Sequence, residues 1–381
     1  MRILTFTSLY PNDMDPRLGI FVKNRMCAFD ALDGVSRTVI APVHYVPLLG
    51  FSKGTRFYRN NHIHLQENQD GIAVWHPRYL TLPGTNFINV ADAMAKAGEK
   101  CLPDAYPDDE DFDLVDGHYL YPDGVAAYHL AKTHTKPLVL TARGSDVNYW
   151  MEQDKPRTAI LEALAYARKI ICVSQALKDR LIGHGVPAEK LTLLLNGVDP
   201  TFFAAAHSAE IEKNHLITVG NLVPLKGHRY ILEALVKLPQ CRLTIIGTGE
   251  QEGRLKALAK KLDISPRVTF LSHVPHADLP RYYAAAHCSI LMSSREGMPN
   301  VVLESLAAGT PVVATNVGGI PEVITAENGI LLPERNADAL VDAVNSALAH
   351  PWNRQQISQN MRPLNWPETA KALRQIFTDA L

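Results

Sequence analysis

Residues 294–314 read Ser294-Arg-Glu-Gly-Met-Pro-Asn-Val-Val-Leu-Glu-Ser-Leu-Ala-Ala-Gly-Thr-Pro-Val-Val-Ala314. An apolar run at 289–292 precedes the stretch and another at 311–314 closes it, so the pattern is strand, loop, helix, strand. Pro299 suits the first turn of a helix, where no backbone donor is missed. The helix is expected over about 299–308, with Gly309 ending it. Such a unit lies at the C-terminal edge of a parallel sheet, where ligands bind. The amides of Asn300, Val301 and Val302 read as unpaired first-turn donors. With the helix dipole they attract an anion such as a diphosphate or an anionic leaving group. Glu296 stands in the loop and Glu304 inside the helix, so two carboxylates enter one cleft at different depths. A carboxylate accepts two hydrogen bonds at once, which suits the vicinal diol of a ribose or a hexose. The competing reading is a salt-bridged surface helix.

Outward from this stretch, short apolar runs alternate with helical patterns. Strands are expected at 3–6, 37–41, 73–76, 114–116, 138–141, 169–173 and 191–194, then in a second series at 216–219, 242–246, 268–271, 288–291, 311–314 and 329–331. The alternation means α/β architecture with parallel sheets covered on both faces. Two series mean two doubly wound, Rossmann-like domains. The small, polar composition of 200–214 marks an interdomain linker. The expected division is a first domain over 1–199, the linker, a second domain over 215–362, and a C-terminal helix within 363–381 that packs back on the first domain.

Composition bounds the function. A chain of 381 residues with 46% hydrophobic content exceeds one ordinary core. Its net charge of −1 excludes the global basic surplus of a nucleic-acid binder. Cys27, Cys101, Cys172, Cys241 and Cys288 are scattered, without the spacing of a structural zinc site, and read as reduced thiols of a cytoplasmic protein. The first ten residues read as a buried strand rather than a signal peptide, because threonine and serine break the apolar run and Pro11 follows. No run reaches the roughly 18 to 20 apolar residues of a membrane span. Residues 46–59 mix apolar, aromatic and basic side chains, as an irregular loop or as a contact with anionic lipid or a lipid-linked acceptor. The acidic run 108–113 reads as a solvated loop.

Other positions carry chemistry. Lys226 follows a strand beside Gly227 and a helix start, which suits it to neutralise an anion. Gly247-Thr-Gly249 resembles a dinucleotide fingerprint, yet the third glycine falls at Gly253, one place late, with no acidic partner; a tight turn is the plainer reading. Gly19 admits a phosphate or sugar to the backbone, or serves a turn. His118 follows a buried strand in Asp116-Gly-His118-Tyr-Leu-Tyr-Pro-Asp-Gly-Val125. Arg143 and Asp146 contact an acceptor or form a supporting ion pair, and Tyr149-Trp150 line an acceptor site or simply pack. No Asp-x-Asp arrangement is poised for a divalent ion, so neither a cofactor nor a catalytic metal is expected.

Glu296 and Glu304 with their neighbours, followed by Asn316-Val-Gly-Gly-Ile-Pro-Glu-Val-Ile324 and preceded by Val219-Gly-Asn-Leu-Val-Pro-Leu-Lys-Gly-His228, resemble the signature of glycosyltransferase family 4. The resemblance covers nearly the whole chain and is strongest over 215–325. It implies the GT-B fold, two Rossmann-like domains facing a central cleft. It further implies transfer, with retained anomeric configuration, from a UDP-sugar or GDP-sugar to a hydroxyl of a glycan or lipid-linked acceptor in surface polysaccharide synthesis. Glu304 is then expected on the donor ribose. Glu296 is expected beside the transferred sugar, with the backbone of Gly297, Met298, Pro299 and Asn300 and the helix-start amide of Val301. Lys226 falls on the diphosphate and Val274, in Ser272-His273-Val274, at the base. Asn221 stands where the family often has arginine, so one of two expected cations is absent. His118 is expected to hydrogen-bond the transferred sugar and shape the reactive pocket. Many relatives have histidine where this chain has Arg143. The rival readings are a sugar-nucleotide 2-epimerase of the same architecture and a non-catalytic sugar-nucleotide-binding subunit.

Overall fold

Leu138–Ala142 buries every one of its five side chains, as a strand covered on both faces of a parallel sheet must. The computed structural model describes residues 1–46, 56–80, 89–107, 111–206 and 210–381. Strands of this kind build the sheets of two compact units. Most of the 46–59 segment, the start of the 108–113 acidic run and residues 207–209 of the expected linker lie outside the described residues.

The first unit comprises Met1–Asn196 and Trp366–Leu381. Its strands are β1 (Arg2–Phe6), β2 (Ser36–Ile40), β3 (Val43–Tyr45), β4 (Gln66–Gln69), β5 (Ile72–Trp75), β6 (Arg78–Leu80), β7 (Leu114–His118), β8 (Leu138–Ala142), β9 (Lys169–Cys172) and β10 (Leu191–Leu193). The main sheet runs β10-β9-β8-β7-β1-β2-β5-β4, parallel except that β4 is antiparallel to β5. β3 and β6 form a separate parallel pair. β3, β4 and β6 fall outside the expected strands. β4 is Gln-Glu-Asn-Gln, whose only warrant is its edge position beside β5.

The helix Trp366–Ala380 opens with Pro367 in its first turn. Its buried face, Ala370, Leu373, Ile376, Phe377 and Ala380, packs into the first unit's core with Val22, Met26 and Phe29 of the helix Ile20–Asp30. Phe377 meets Phe29 edge-on with ring centroids 5.2 Å apart. Each large apolar side chain buried in this way contributes about 1.5–3 kcal/mol.

The second unit is Gly197–Asn365. Its strands are β11 (His215–Val219), β12 (Arg242–Ile246), β13 (Val268–Leu271), β14 (Cys288–Leu291), β15 (Val312–Thr315) and β16 (Gly329–Leu332), parallel in the order β13-β12-β11-β14-β15-β16. The order reverses between β11 and β14. In the first unit it reverses between β1 and β7.

Residues 200–205, expected as linker, are instead the helix Pro200–Ala205 of this unit. Asp199 caps it by accepting from Thr201 N at 2.9 Å, and Pro200 occupies its first turn. Phe202 and Phe203 are buried, Phe202 lying 6.0 Å from the Tyr283 ring. The division of the chain therefore falls between Asn196 and Gly197, and again between Asn365 and Trp366.

Gly247 and Gly249 owe their identity to packing. A Cβ on Gly247, at φ +144°, would stand 2.0 Å from Gly220 O, and one on Gly249 would stand 2.4 Å from Leu222 O. The loops after β11 and β12 touch backbone to backbone there. Gly247→Ala should cost about 2 kcal/mol or more in urea denaturation, through contact and strain together. Gly253→Ala, in the helix Glu252–Lys261 with nothing within 4 Å of the added carbon, should gain about 0.5–1 kcal/mol. Equal effects at the two positions would remove the packing explanation.

Candidate functional site

β11 and β14 are neighbours whose connections leave in opposite directions, which opens a crevice above their carboxyl ends. The loop after β11 passes through the turn Pro224–Lys226 into the helix His228–Val236. The loop after β14 leads into the helix Asn300–Ala307. Backbone carbonyls hold the two loops together. Ser294 N donates to Leu225 O at 2.9 Å. Arg335, from beyond β16, donates to Met292 O at 2.7 Å, Leu225 O at 2.9 Å and Pro224 O at 3.2 Å. Thr315 Oγ1 donates to Ser293 O at 2.7 Å, and Gly319 N to Gly297 O at 2.7 Å.

On this frame Lys226 Nζ meets Glu296 Oε1 at 2.6 Å, and Ser293 Oγ donates to the same oxygen at 2.5 Å. The lysine and glutamate side chains are 19% and 11% exposed, deep enough to resist salt screening and open enough for ligand access. In the free chain the cation expected on a diphosphate is thus neutralised by the carboxylate expected on a sugar.

Glu304 lies in the helix Asn300–Ala307, with its carboxylate engaged at both oxygens. His276 Nε2 lies 3.2 Å from Oε1, and Tyr283 OH donates to Oε2 at 3.3 Å. The hydrogen bond to Glu304 raises the His276 pKa above its ordinary value, against the effect of burial. Burial, then the Glu304 charge, pushes the Tyr283 hydroxyl well up, so it remains a donor. Val274 is half-buried two residues before His276. His276, Tyr283, Ser293 and Arg335 escape a reading by motif. Their only sequence signal is position: Ser293 opens the loop after β14, and His276 closes the turn that holds Val274.

The helix start departs from expectation in one respect. Pro299 is extended, at ψ 117°, and precedes the helix rather than opening it. Val302 N donates to Pro299 O at 3.0 Å, so its amide closes the first turn instead of standing unpaired. Gly297 and Met298 are buried beneath the loop, Asn300 and Val301 are half-buried, and Asn221 is exposed.

In the first unit, β7 ends in His118, which is fully buried. Its Nε2 pairs with Asp116 Oδ2 at 3.0 Å and its Nδ1 with an Arg143 guanidinium nitrogen at 2.5 Å. Burial lowers the His118 pKa to about 4, overriding the Asp116 carboxylate that favours the charged ring, and the charges of Arg143 and Arg25 add smaller shifts in the same direction as burial. The ring is neutral, with Nε2–H donating to Asp116 and Nδ1 accepting from Arg143. Burial raises the Asp116 carboxyl, but His118, Arg37 and Arg25 together hold it at about 2. Both His118 nitrogens are therefore spent on protein partners, and the expected hydrogen bond to a sugar is not available until Arg143 withdraws.

The expected Arg143–Asp146 ion pair gives way to another arrangement. Asp146 accepts from the backbone amides of Leu120, Arg143, Gly144 and Val147, while the Arg143 guanidinium turns to His118 and to Asn196 Oδ1 at 2.8 Å. Gly19 opens the helix Ile20–Asp30 at φ +62°, where a Cβ would stand 2.0 Å from Leu9 O. That contact demands glycine without any ligand.

Comparison with known proteins decides the family. Residues 201–363 match the family model for glycosyl transferases group 1, and residues 72–202 match that for glycosyltransferase family 4. This chain is a glycosyltransferase of the family 4 type. The putative teichuronic acid biosynthesis glycosyltransferase TuaC of Bacillus subtilis is 29% identical over 369 residues, 90% of this chain and 88% of the relative. An uncharacterized glycosyltransferase of Methanocaldococcus jannaschii is 27% identical over 83% of this chain and 86% of its own length. Among solved structures, sucrose-phosphate synthase from Thermosynechococcus elongatus superposes with a TM-score of 0.79 at 19% identity, covering 99% of this chain and 98% of that one. Anabaena HepE in complex with UDP-glucose superposes with a TM-score of 0.73 at 18% identity, covering 99% of both chains. The fold is GT-B, with two parallel-sheet units.

The raised His276 pKa sets a pH dependence. The stability its pair with Glu304 contributes is fully present below the unfolded value of 6.5 and is lost as pH rises through the raised folded value. The histidine side chain is 34% exposed, so solvent screening limits the contribution to about 0.5 kcal/mol. His276→Gln should lower the thermal midpoint near pH 6 and have less effect near pH 8.5. The same loss at both values would dismiss the ion pair.

Proposed function

We propose that this glycosyltransferase moves a sugar, with retention at the anomeric carbon, from a nucleoside diphosphate donor to a hydroxyl of a glycan or lipid-linked acceptor. The observation that carries the reading is the Lys226–Glu296 pair at the β11/β14 reversal, beside the start of the helix that bears Glu304. HepE, of like fold, was solved with UDP-glucose, and the likeness to TuaC supports a setting in surface polysaccharide assembly.

In this reading Glu304 leaves His276 and Tyr283 to accept from the ribose hydroxyls, and Val274 lies along the base. Lys226 and the amides around Asn300 and Val301 stabilise the departing diphosphate, with Asn221 as a neutral donor. Glu296 turns from Lys226 to hydroxyls of the transferred sugar, alongside Gly297, Met298 and Pro299. The bond from the anomeric carbon to the diphosphate oxygen breaks through an oxocarbenium-like state. The acceptor hydroxyl attacks from the leaving group's own face, and its proton passes to a phosphate oxygen. Gly19, His118, Arg143 and Asp146 belong to the acceptor-side unit. No step calls on a divalent ion.

Incubation with a panel of nucleotide sugars, with and without glycan acceptors, tests the reading. Transfer with retained configuration supports it; a sugar altered without any acceptor would replace it with epimerisation. Glu296→Gln should cut turnover about 100-fold or more, the scale of losing one preorganised electrostatic contact. Glu304→Ala should weaken nucleotide binding about 10-fold or more by calorimetry, through lost charge-assisted hydrogen bonds. Turnover should survive EDTA; full loss restored by a divalent ion would overturn the metal-free step.

A further inference from the structure

We infer that Arg143 is an oxyanion-reading residue, and that the acceptor of this enzyme carries a carboxylate or phosphate that Arg143 takes in exchange for His118. The inference rests on the transferase reading above and narrows the acceptor class.

Arg143 follows β8 at the carboxyl edge of the sheet and is half-buried. Among the described residues its guanidinium meets only neutral partners: His118 Nδ1 at 2.5 Å, Asn196 Oδ1 at 2.8 Å and the face of Phe21 at 4.9 Å. Its Nε has no hydrogen-bond partner among them. The nearest carboxylate in sequence, Asp146, is consumed by four backbone amides.

A second arginine lies behind it. Arg25 is 1% exposed and, among the described residues, reaches only Thr141 Oγ1 at 3.4 Å, with no hydrogen-bond partner at Nε or Nη2. The two cations are close enough that Arg25, after burial itself, depresses Arg143's hold on its proton. The charges of Asp116 and Asp146 offset part of this, but Asp116 Oδ2 serves His118, Arg37 and Thr5 rather than Arg143. Phe21, whose ring Arg143 covers, and Arg25 both belong to the helix Ile20–Asp30, Phe21 in its first turn. A half-buried guanidinium that meets no carboxylate directly is costly to desolvate, and a planar guanidinium matches a carboxylate or phosphate with two parallel donors. An oxyanion outcompetes the neutral Nδ1 lone pair for Arg143. Its arrival also releases that nitrogen, so docking an acid group and freeing His118 are one event.

The same oxyanion chemistry exists in the donor's diphosphate, and the test separates the two sources. Glucuronate, glucose 6-phosphate, glucose and UDP are titrated into the full chain and into Arg143→Gln and Arg143→Lys, followed by saturation-transfer NMR and calorimetry. Glucuronate or glucose 6-phosphate should bind the wild type, with glucose at least 10-fold weaker. Arg143→Gln should lose that preference while Arg143→Lys keeps part of it, and UDP affinity should stay within about twofold throughout. Acid sugars that bind no better than glucose, or that bind Arg143→Gln as well as the wild type, would overturn the inference. So would a loss of UDP binding in Arg143→Gln alone. Failure of UDP to bind any of the three proteins counts against the donor reading instead, and leaves the acid-sugar result to decide this one. A thermal midpoint in Arg143→Lys matching the wild type guards against misfolding.

Discussion

Two adjacent parallel strands whose chains depart to opposite sides leave a gap above their ends that neither following helix can fill. β11 and β14 are such a pair, and the second unit's chemistry hangs on their adjacency. It brings Lys226 and Glu296, 70 residues apart in sequence, to 2.6 Å. Each charge is satisfied by the other when no ligand is bound, so neither is stranded in a half-buried crevice. In the proposed reading, a ligand that is anionic on one side and rich in hydroxyls on the other exchanges partners with both.

The exchange requires that the loops bearing these groups stay in place. Loops are ordinarily the mobile part of a fold. Here Arg335 spreads its donors over three carbonyls of two loops, and Thr315 and Gly319 tie Ser293 and Gly297 from the β15 side. The ordering cost of the site is therefore met during folding rather than on binding. Asp146 does the corresponding work in the first unit, gathering three amides of the segment that presents Arg143 and tying them to that of Leu120, after β7.

The alternating elements were legible because each carries local punctuation. β14, the helix Asn300–Ala307 and β15 follow from apolar runs, Pro299 and Gly309, with the helix opening one residue later because Pro299 adopts an extended backbone. The linker assignment failed where the alanines of 204–206 outweighed a capping signal, Asp199-Pro200-Thr201, and two phenylalanines that needed burial. β4 was illegible because its polar side chains carry no apolar period; only a neighbour makes it a strand. The candidate glutamates and Lys226 could be named from spacing and resemblance, but their partners could not. That Glu304 meets His276 and Tyr283, or that Arg143 meets His118 rather than Asp146, depends on strand order and helix packing across many residues.

The first unit closes its core with the helix Trp366–Ala380, Phe377 covering Phe29. During synthesis residues 1–196 emerge from the ribosome with that apolar face bare, and it stays so until residues 366–380 follow. The second unit, continuous from Gly197 to Asn365, has no such wait. Maturation thus runs against the order of translation: the later-made lobe can finish first, and a nascent chain cut short anywhere before residue 366 leaves the earlier one sticky and exposed to chaperones and proteases.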